Sequence, residues 1–282
     1  MSDNDARSAP HESGTTPEVI DGIRSLHERI DDLHRLVVQR LAAEGGEAES
    51  WLHTHAETAY RPAWRRKTEG EVRWPVAVTT AVGIALQLGV PGHLLLVSPS
   101  WIFPAAQGVL LVILVAINPR RINRESKVLR SLSLVLAAMI SLANGYSVAR
   151  LCVDITQGTA GKEPGQLLVT GAFIWLTNIV VFGLWYWEFD RGGPVARALN
   201  LKNRYPDFQF PQMTSPPGMV PPDWEPAFFD YLYLAFTNAT AFSPTDVMPM
   251  SRWAKIAMTV QSLISIVTVA LLVSRAVNIL PS

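Results

Sequence analysis

WPVAVTTAVGIALQLGVPGHLLLVSPSWIFPAAQGVLLVILVAIN, residues Trp74 to Asn118, runs for 45 positions without an Asp, Glu, Lys or Arg. Three shorter charge-free runs follow: Ser131–Ala149, Pro164–Trp187 and Ile256–Ser274. As a helix, about 20 apolar residues match the roughly 30 Å hydrocarbon layer of a bilayer. Only helices or closed barrels satisfy every backbone group there. These runs are too long and too uniformly apolar for barrel strands. They predict an all-α fold: a polytopic membrane protein with about six membrane helices or elements, preceded by a cytoplasmic amphipathic, coiled-coil-like helix.

As one helix the first run would be about 68 Å long, so it is divided at Pro91-Gly92 into spans near 74–90 and 101–118. Further spans are expected at 130–152, 166–188 and 252–279, with a short mixed apolar element at 227–242. Cations gather in the N-terminal arm, in the 119–130 loop (Arg120, Arg121, Arg124, Lys127, Arg130) and after the fourth span (Arg191, Arg197, Lys202, Arg204). The loops around Pro91 and Gly158 hold Lys162 alone. The positive-inside rule therefore predicts a multi-pass protein with a cytoplasmic N-terminus. Trp185, Tyr186 and Trp187, next to Glu188 and Asp190, read as an aromatic belt at the membrane–water boundary.

Residues 1–16 have the composition of a disordered tail, and 17–73 read as a cytoplasmic helix followed by an interfacial anchor. Val19, Ile23, Leu26, Ile30, Leu33 and Val37 alternate four- and three-residue steps, a seam suited to parallel pairing. Packing on the chain itself or lying on lipid explains the same pattern. Trp51, Tyr60 and Trp64 beside Arg61, Arg65, Arg66, Lys67 and Arg73 form the anchor. Membrane proximity accounts for these cations, so nucleic acid is not an expected partner, whereas the lipid bilayer is. The polar residues ahead of Trp74 argue against an N-terminal secretory signal.

The single cysteine, Cys152, and the isolated His53-x-His55 pair point to no metal centre. No glycine-rich phosphate loop, nucleophile elbow or zinc-protease helix is present. Neither an enzyme activity nor a cofactor is expected.

Beyond the four-span bundle (74–204) and a proline-rich connector (205–226, with Tyr205, Phe208 and Phe210 as aromatic pegs) lies the least ordinary stretch, Asp230-Tyr-Leu-Tyr-Leu-Ala-Phe-Thr-Asn-Ala-Thr-Ala-Phe-Ser-Pro-Thr-Asp246. Marginal hydrophobicity followed by polar, non-helical backbone suggests a re-entrant or broken helix, tolerated at membrane depth only where protein buries it or water lines it. Residues 227–282 resemble the pore region of two-helix potassium-channel-like proteins, in which an aromatic pore helix precedes a Thr-Thr-Val-Gly-Tyr-Gly-Asp filter and an inner helix. Thr240 matches the filter threonine and Asp246 the acid after it. The resemblance implies a candidate pore or selectivity set of Thr237, Asn238, Thr240, Ser243, Pro244, Thr245 and Asp246. The filter glycines are replaced, and Ser, Thr and Pro rarely adopt the angles that glycine supplies, so a potassium filter of the familiar kind is not expected. That family's loop enters from outside, whereas the charge count puts residue 204 inside; whether 227–243 crosses or re-enters stays open.

The whole chain also resembles uncharacterised bacterial multi-span proteins with the same Asp-Tyr-Leu-Tyr-x-x-Phe-Thr arrangement, which implies the bacterial inner (plasma) membrane. The expected function is an unconventional ion or small-solute channel, a homo-oligomer with monovalent cations as candidate cargo. The alternative is a non-conducting scaffold acting through its N-terminal helix. The mid-span amides Gln87, Gln107, Asn144, Asn178, Asn238 and Gln261 fit either a water-lined path or hydrogen bonds between helices.

Overall fold

A computed structural model describes residues 29–40, 62–122, 126–159, 163–200, 205–216, 219–242 and 246–279. The chain divides into Met1–Arg61 and Pro62–Ser282. In the first unit residues 29–40 are helical, and Ile30, Leu33 and Val37 are all exposed there. The rest of the seam, Val19, Ile23 and Leu26, lies outside the described residues.

The second unit is built from α1 (Trp74–Leu88), α2 (Ile102–Ile117), α3 (Lys127–Thr156), α4 (Pro164–Phe189), the short α5 (Pro194–Ala198), α6 (Phe228–Ala241) and α7 (Arg252–Ile279). Local chemistry sets their starts. Proline stands in the first turn of α1, α4 and α5, where a missing N–H costs nothing. Ser126 caps α3 by accepting from the Leu129 N–H at 3.4 Å. Asp230 reaches back to accept from the Ala227 N–H at 2.8 Å and so fixes the start of α6.

Stretches of three helices, Lys127–Thr156, Gly165–Gly192 and Arg252–Arg275, are long and apolar enough to cross a membrane. α1 and α2 have 15 and 16 residues, about 22 and 24 Å, and fall short of that length alone. The sequence expectation of about six membrane elements thus resolves into three full-length helices and shorter apolar ones. Side chains are sorted in the inverted manner of a lipid-facing protein. α7 buries Gln261, Ser265 and Thr268 while exposing Ile256, Leu263 and Val273.

α4 is the central helix: 67% of its most apolar window is buried, against 33% for α3 and 28% for α7. It runs antiparallel to α7, as the contacts Phe189–Trp253, Trp175–Ser265 and Gly171–Leu272 show. It also runs antiparallel to α6, through Trp187–Phe228, Gly183–Leu232 and Trp175–Phe236. A Cβ at Gly183 would lie 3.3 Å from the Leu232 Cα, so glycine is what lets α6 pack this close.

The ends of α1 and α2 are tied together by Arg73 N–H to Arg120 O (3.1 Å) and Ile122 N–H to Glu71 O (2.9 Å). The loop between them reaches the other end of the bundle, where Val90 and Leu94 pack with Leu151, Leu167, Ile174 and Leu272. Two expectations are corrected here. Tyr186 and Trp187 are buried in the protein core rather than forming a lipid-facing belt. Of the three connector pegs, Phe208 and Phe210 are buried, but Tyr205 is 89% exposed.

A candidate functional site: a re-entrant helix on a buried charged base

α4 runs out of apolar residues at Glu188-Phe-Asp-Arg-Gly-Gly193, and Pro194 starts α5 at once. Gly193 has φ +96°, and a Cβ there would sit 2.9 Å from the Glu188 carbonyl oxygen, so only glycine makes this turn. Arg191 adopts φ 51° and ψ 23°, a left-handed conformation that costs energy for a non-glycine residue. Its own contacts hold it there: its N–H donates to Asp207 Oδ2 at 2.9 Å and its Nη1 to the Trp64 carbonyl at 2.6 Å.

Around this turn lies a buried ionic network. Asp190 accepts from the Tyr231 hydroxyl at 2.6 Å and from the Asp207 N–H at 2.8 Å. Arg197 lies over the Tyr231 ring at 4.9 Å and donates to the carbonyls of Trp187 and Asp190 at 2.6 and 3.1 Å. Its Nη2 stands 3.5 Å from Glu71, whose other oxygen accepts from Trp187 Nε1 at 2.7 Å. Asp207 accepts from Trp253 Nε1 at 2.7 Å. Burial raises the Glu71 carboxyl above its ordinary 4.5, with Arg197 and the Trp187 hydrogen bond pulling the other way. The network joins the segment before α1, the end of α4, the connector and the starts of α6 and α7. Arg191 and Arg197, which the charge count places after the fourth span on the cytoplasmic side, are buried and paired.

On this base stands α6. It leaves beside Trp187 and Asp190, and its 14 residues carry it about 21 Å into the bundle, alongside α4 as far as Trp175. The chain is back at the base by Met248–Pro249, where the two-residue strand β2 pairs antiparallel with β1 (Phe208–Gln209). α7 then starts at that same end, running in the same direction as α6. Phe228 and Met248–Pro249, at the two ends of this stretch, therefore lie at the same end of the bundle. At its turn Phe242 caps α6 with φ 56° and ψ 19°, a left-handed position normally held by glycine or asparagine.

The candidate pore residues divide along this segment. Asn238 is buried, donating to Met258 O (3.0 Å) and to Gln261 Oε1 (2.8 Å) and accepting from Ser262 (3.2 Å). Gln261 in turn accepts from the Tyr186 hydroxyl at 2.6 Å and donates to Ala235 O at 2.8 Å. Thr237 is buried, with its hydroxyl on Leu234 O. Asn238 thus ties α6 to α7, whereas the Thr237 hydroxyl bonds within its own helix. Thr240 is exposed; its hydroxyl proton is directed to Phe236 O and Thr237 O, at 2.9 and 3.1 Å, so its oxygen can still accept. Asp246 is exposed and engaged in an interaction within the chain. Ser243, Pro244 and Thr245 lie outside the described residues.

Two of the other mid-span amides act between helices. Gln87 and Gln107 exchange hydrogen bonds at 2.8 and 3.2 Å between α1 and α2. Asn178 Nδ2 is buried with no hydrogen-bond partner among the described residues. Among the described residues no group of three or more His, Cys, Asp or Glu side chains is placed to hold a metal ion.

Sequence reasoning missed Glu71, Asp190, Arg197, Asp207 and Tyr231 as a unit. The one local signal was an acid–base pair, Asp190-Arg191, set between an aromatic run and Gly-Gly-Pro. No family model, curated protein or solved structure matches the chain.

Proposed function

We propose that this chain is a multi-pass protein of the bacterial inner membrane, N-terminus in the cytoplasm, whose re-entrant segment lines an unconventional ion or small-solute pathway in a homo-oligomer. The observation that carries the reading is a helix that enters the apolar bundle, turns at an exposed, left-handed Phe242 and returns to the end it left. Irregular backbone at membrane depth needs protein or water around it. In one chain Thr240, Ala241 and Phe242 are exposed, so neighbouring subunits around a shared axis supply that cover.

The functional tip is then Thr240 to Asp246, with Thr237 and Asn238 as its anchor. Without filter glycines there is no carbonyl ladder to replace a potassium hydration shell, so selectivity among monovalent cations is weak. The test is ion flux into liposomes carrying the purified protein. Thr240→Val and Asp246→Asn should change flux or cation preference by severalfold without lowering membrane insertion, while Thr79→Val on α1 should change little. Flux indifferent to both tip variants places the pathway elsewhere.

A second reading, a scaffold with no conductance, is favoured by one feature: the helix at residues 29–40 leaves Ile30, Leu33 and Val37 uncovered. Absence of flux under every imposed gradient selects it.

A further inference from the structure

We infer that the cavity between the start of α3, the end of α2 and the α4–α5 turn binds the phosphate of an anionic phospholipid. The cavity holds about 250 Å³. Three cations line it, Arg73, Lys127 and Arg130, against one carboxylate, Glu188. Glu188 is buried and already accepts a hydrogen bond from the Ser133 hydroxyl, so part of its accepting capacity is used. Among the described residues none of the three cations has a carboxylate within salt-bridge distance; Glu188 attracts Arg73 and Arg130 from farther off, and three cations against one carboxylate leave the mouth net positive. The first turn of the 30-residue α3 opens here too, and its free N–H groups and dipole favour an anion.

Two further observations choose a lipid over a soluble anion. The remaining wall includes Leu114, Ile122, Leu129 and Val195, a surface that a free phosphate does not use and a glyceryl ester does. The helices that form the cavity present exposed Val112, Ile117 and Val128 close in sequence to its lining residues, so the acyl chains of a bound lipid would continue onto an apolar face. The site lies at the end of the bundle that holds Arg73, Arg120 and Arg121, where the positive-inside rule puts the cytoplasmic leaflet. Basic recesses between membrane helices on that side suit anionic headgroups. This inference is independent of any pathway through α6, because no residue is shared with the re-entrant tip.

The experiment titrates the full-length protein in mild detergent with dioctanoyl phosphatidylglycerol, dioctanoyl phosphatidylcholine or inorganic phosphate. Bound lipid is read by native mass spectrometry and by thermal stabilisation. Phosphatidylglycerol should bind and stabilise, phosphatidylcholine should bind at least tenfold more weakly, and phosphate should stabilise little at equal concentration. Each of Arg73→Gln, Lys127→Gln and Arg130→Gln should weaken phosphatidylglycerol binding about fivefold, as about 1 kcal/mol per interfacial charge implies. Arg130→Lys should retain most of the affinity, which separates lost charge from lost fold. Equal binding of the two lipids, or unchanged phosphatidylglycerol affinity in all three glutamine variants, overturns the assignment. Phosphate alone reproducing the full stabilisation overturns the lipid and leaves a free-anion site.

Discussion

At the base of the molecule Asp190 gathers Tyr231, Asp207 and Arg191 around an acidic side chain, while deeper between the helices Asn238, Gln261 and Tyr186 join without an acid or a base. Both layers are buried, and both tie α4 to α6 or α7. They differ in what happens when one member is removed. A charge stripped of its partner inside protein keeps its desolvation cost and loses the compensating attraction. An amide stripped of one partner can turn to another donor or acceptor, and in membranes such bonds contribute only about 0.6–2 kcal/mol. The difference points to a division of labour: ions fix the end from which α6 springs, and amides set its depth and rotation.

Three substitutions can break or sharpen this contrast. The largest effect should come from Asp190→Ala, which leaves the Tyr231 hydroxyl and the Asp207 N–H without an acceptor and Arg197 less balanced. A loss of about 3–5 kcal/mol is expected, read by chemical unfolding in detergent. A loss below about 1 kcal/mol would mean that water reaches the base and that the ionic layer is not the stronger one.

Asn238→Leu should cost about 1–2 kcal/mol, because Gln261 keeps Tyr186 and Ala235 while Ser262 loses one acceptor. If it equals Asp190→Ala in the same assay, the two layers do not differ as argued.

The smallest effect is a pH slope at Glu71. Its folded carboxyl lies above the ordinary 4.5, so the folded protein holds that proton more tightly than the unfolded chain does. Its stabilising contribution is complete below 4.5 and declines as pH rises from there through the raised folded value. Glu71→Gln keeps an acceptor for Trp187 without an ionisable group, so its Tm should fall less than the wild-type Tm across that window. Parallel profiles for the two proteins would show that Glu71 does not carry the slope.

Much of the helical layout was legible because hydropathy is a local property. The division at Pro91-Gly92 falls between Leu88, where α1 ends, and Ile102, where α2 begins, and the starts of α4, α6 and α7 lie within two residues of expectation. Direction was not legible for α6. Transfer of Phe228–Ala241 into an apolar bundle has the same free energy whether the chain then crosses or returns; only the pairing of Met248 with Gln209 distinguishes the two. Burial was not legible for the charges either. Arg191 and Arg120 look alike as letters after a span, yet Arg120 is exposed while Arg191 is buried because Trp64, 127 positions away, and Asp207 are brought to it.

The sequence by itself determined a mostly helical, apolar, membrane-compatible chain with a polar arm and an irregular segment near its C-terminus, because those properties follow from local composition and spacing. Only the tertiary structure decided that this segment starts and ends at one end of the bundle, that Asn238 bonds to α7 while Thr240 is exposed, and that Arg191 and Arg197 belong to a buried network. Each of those depends on partners 20 or more residues apart, and long-range partnership leaves no periodic mark in the sequence.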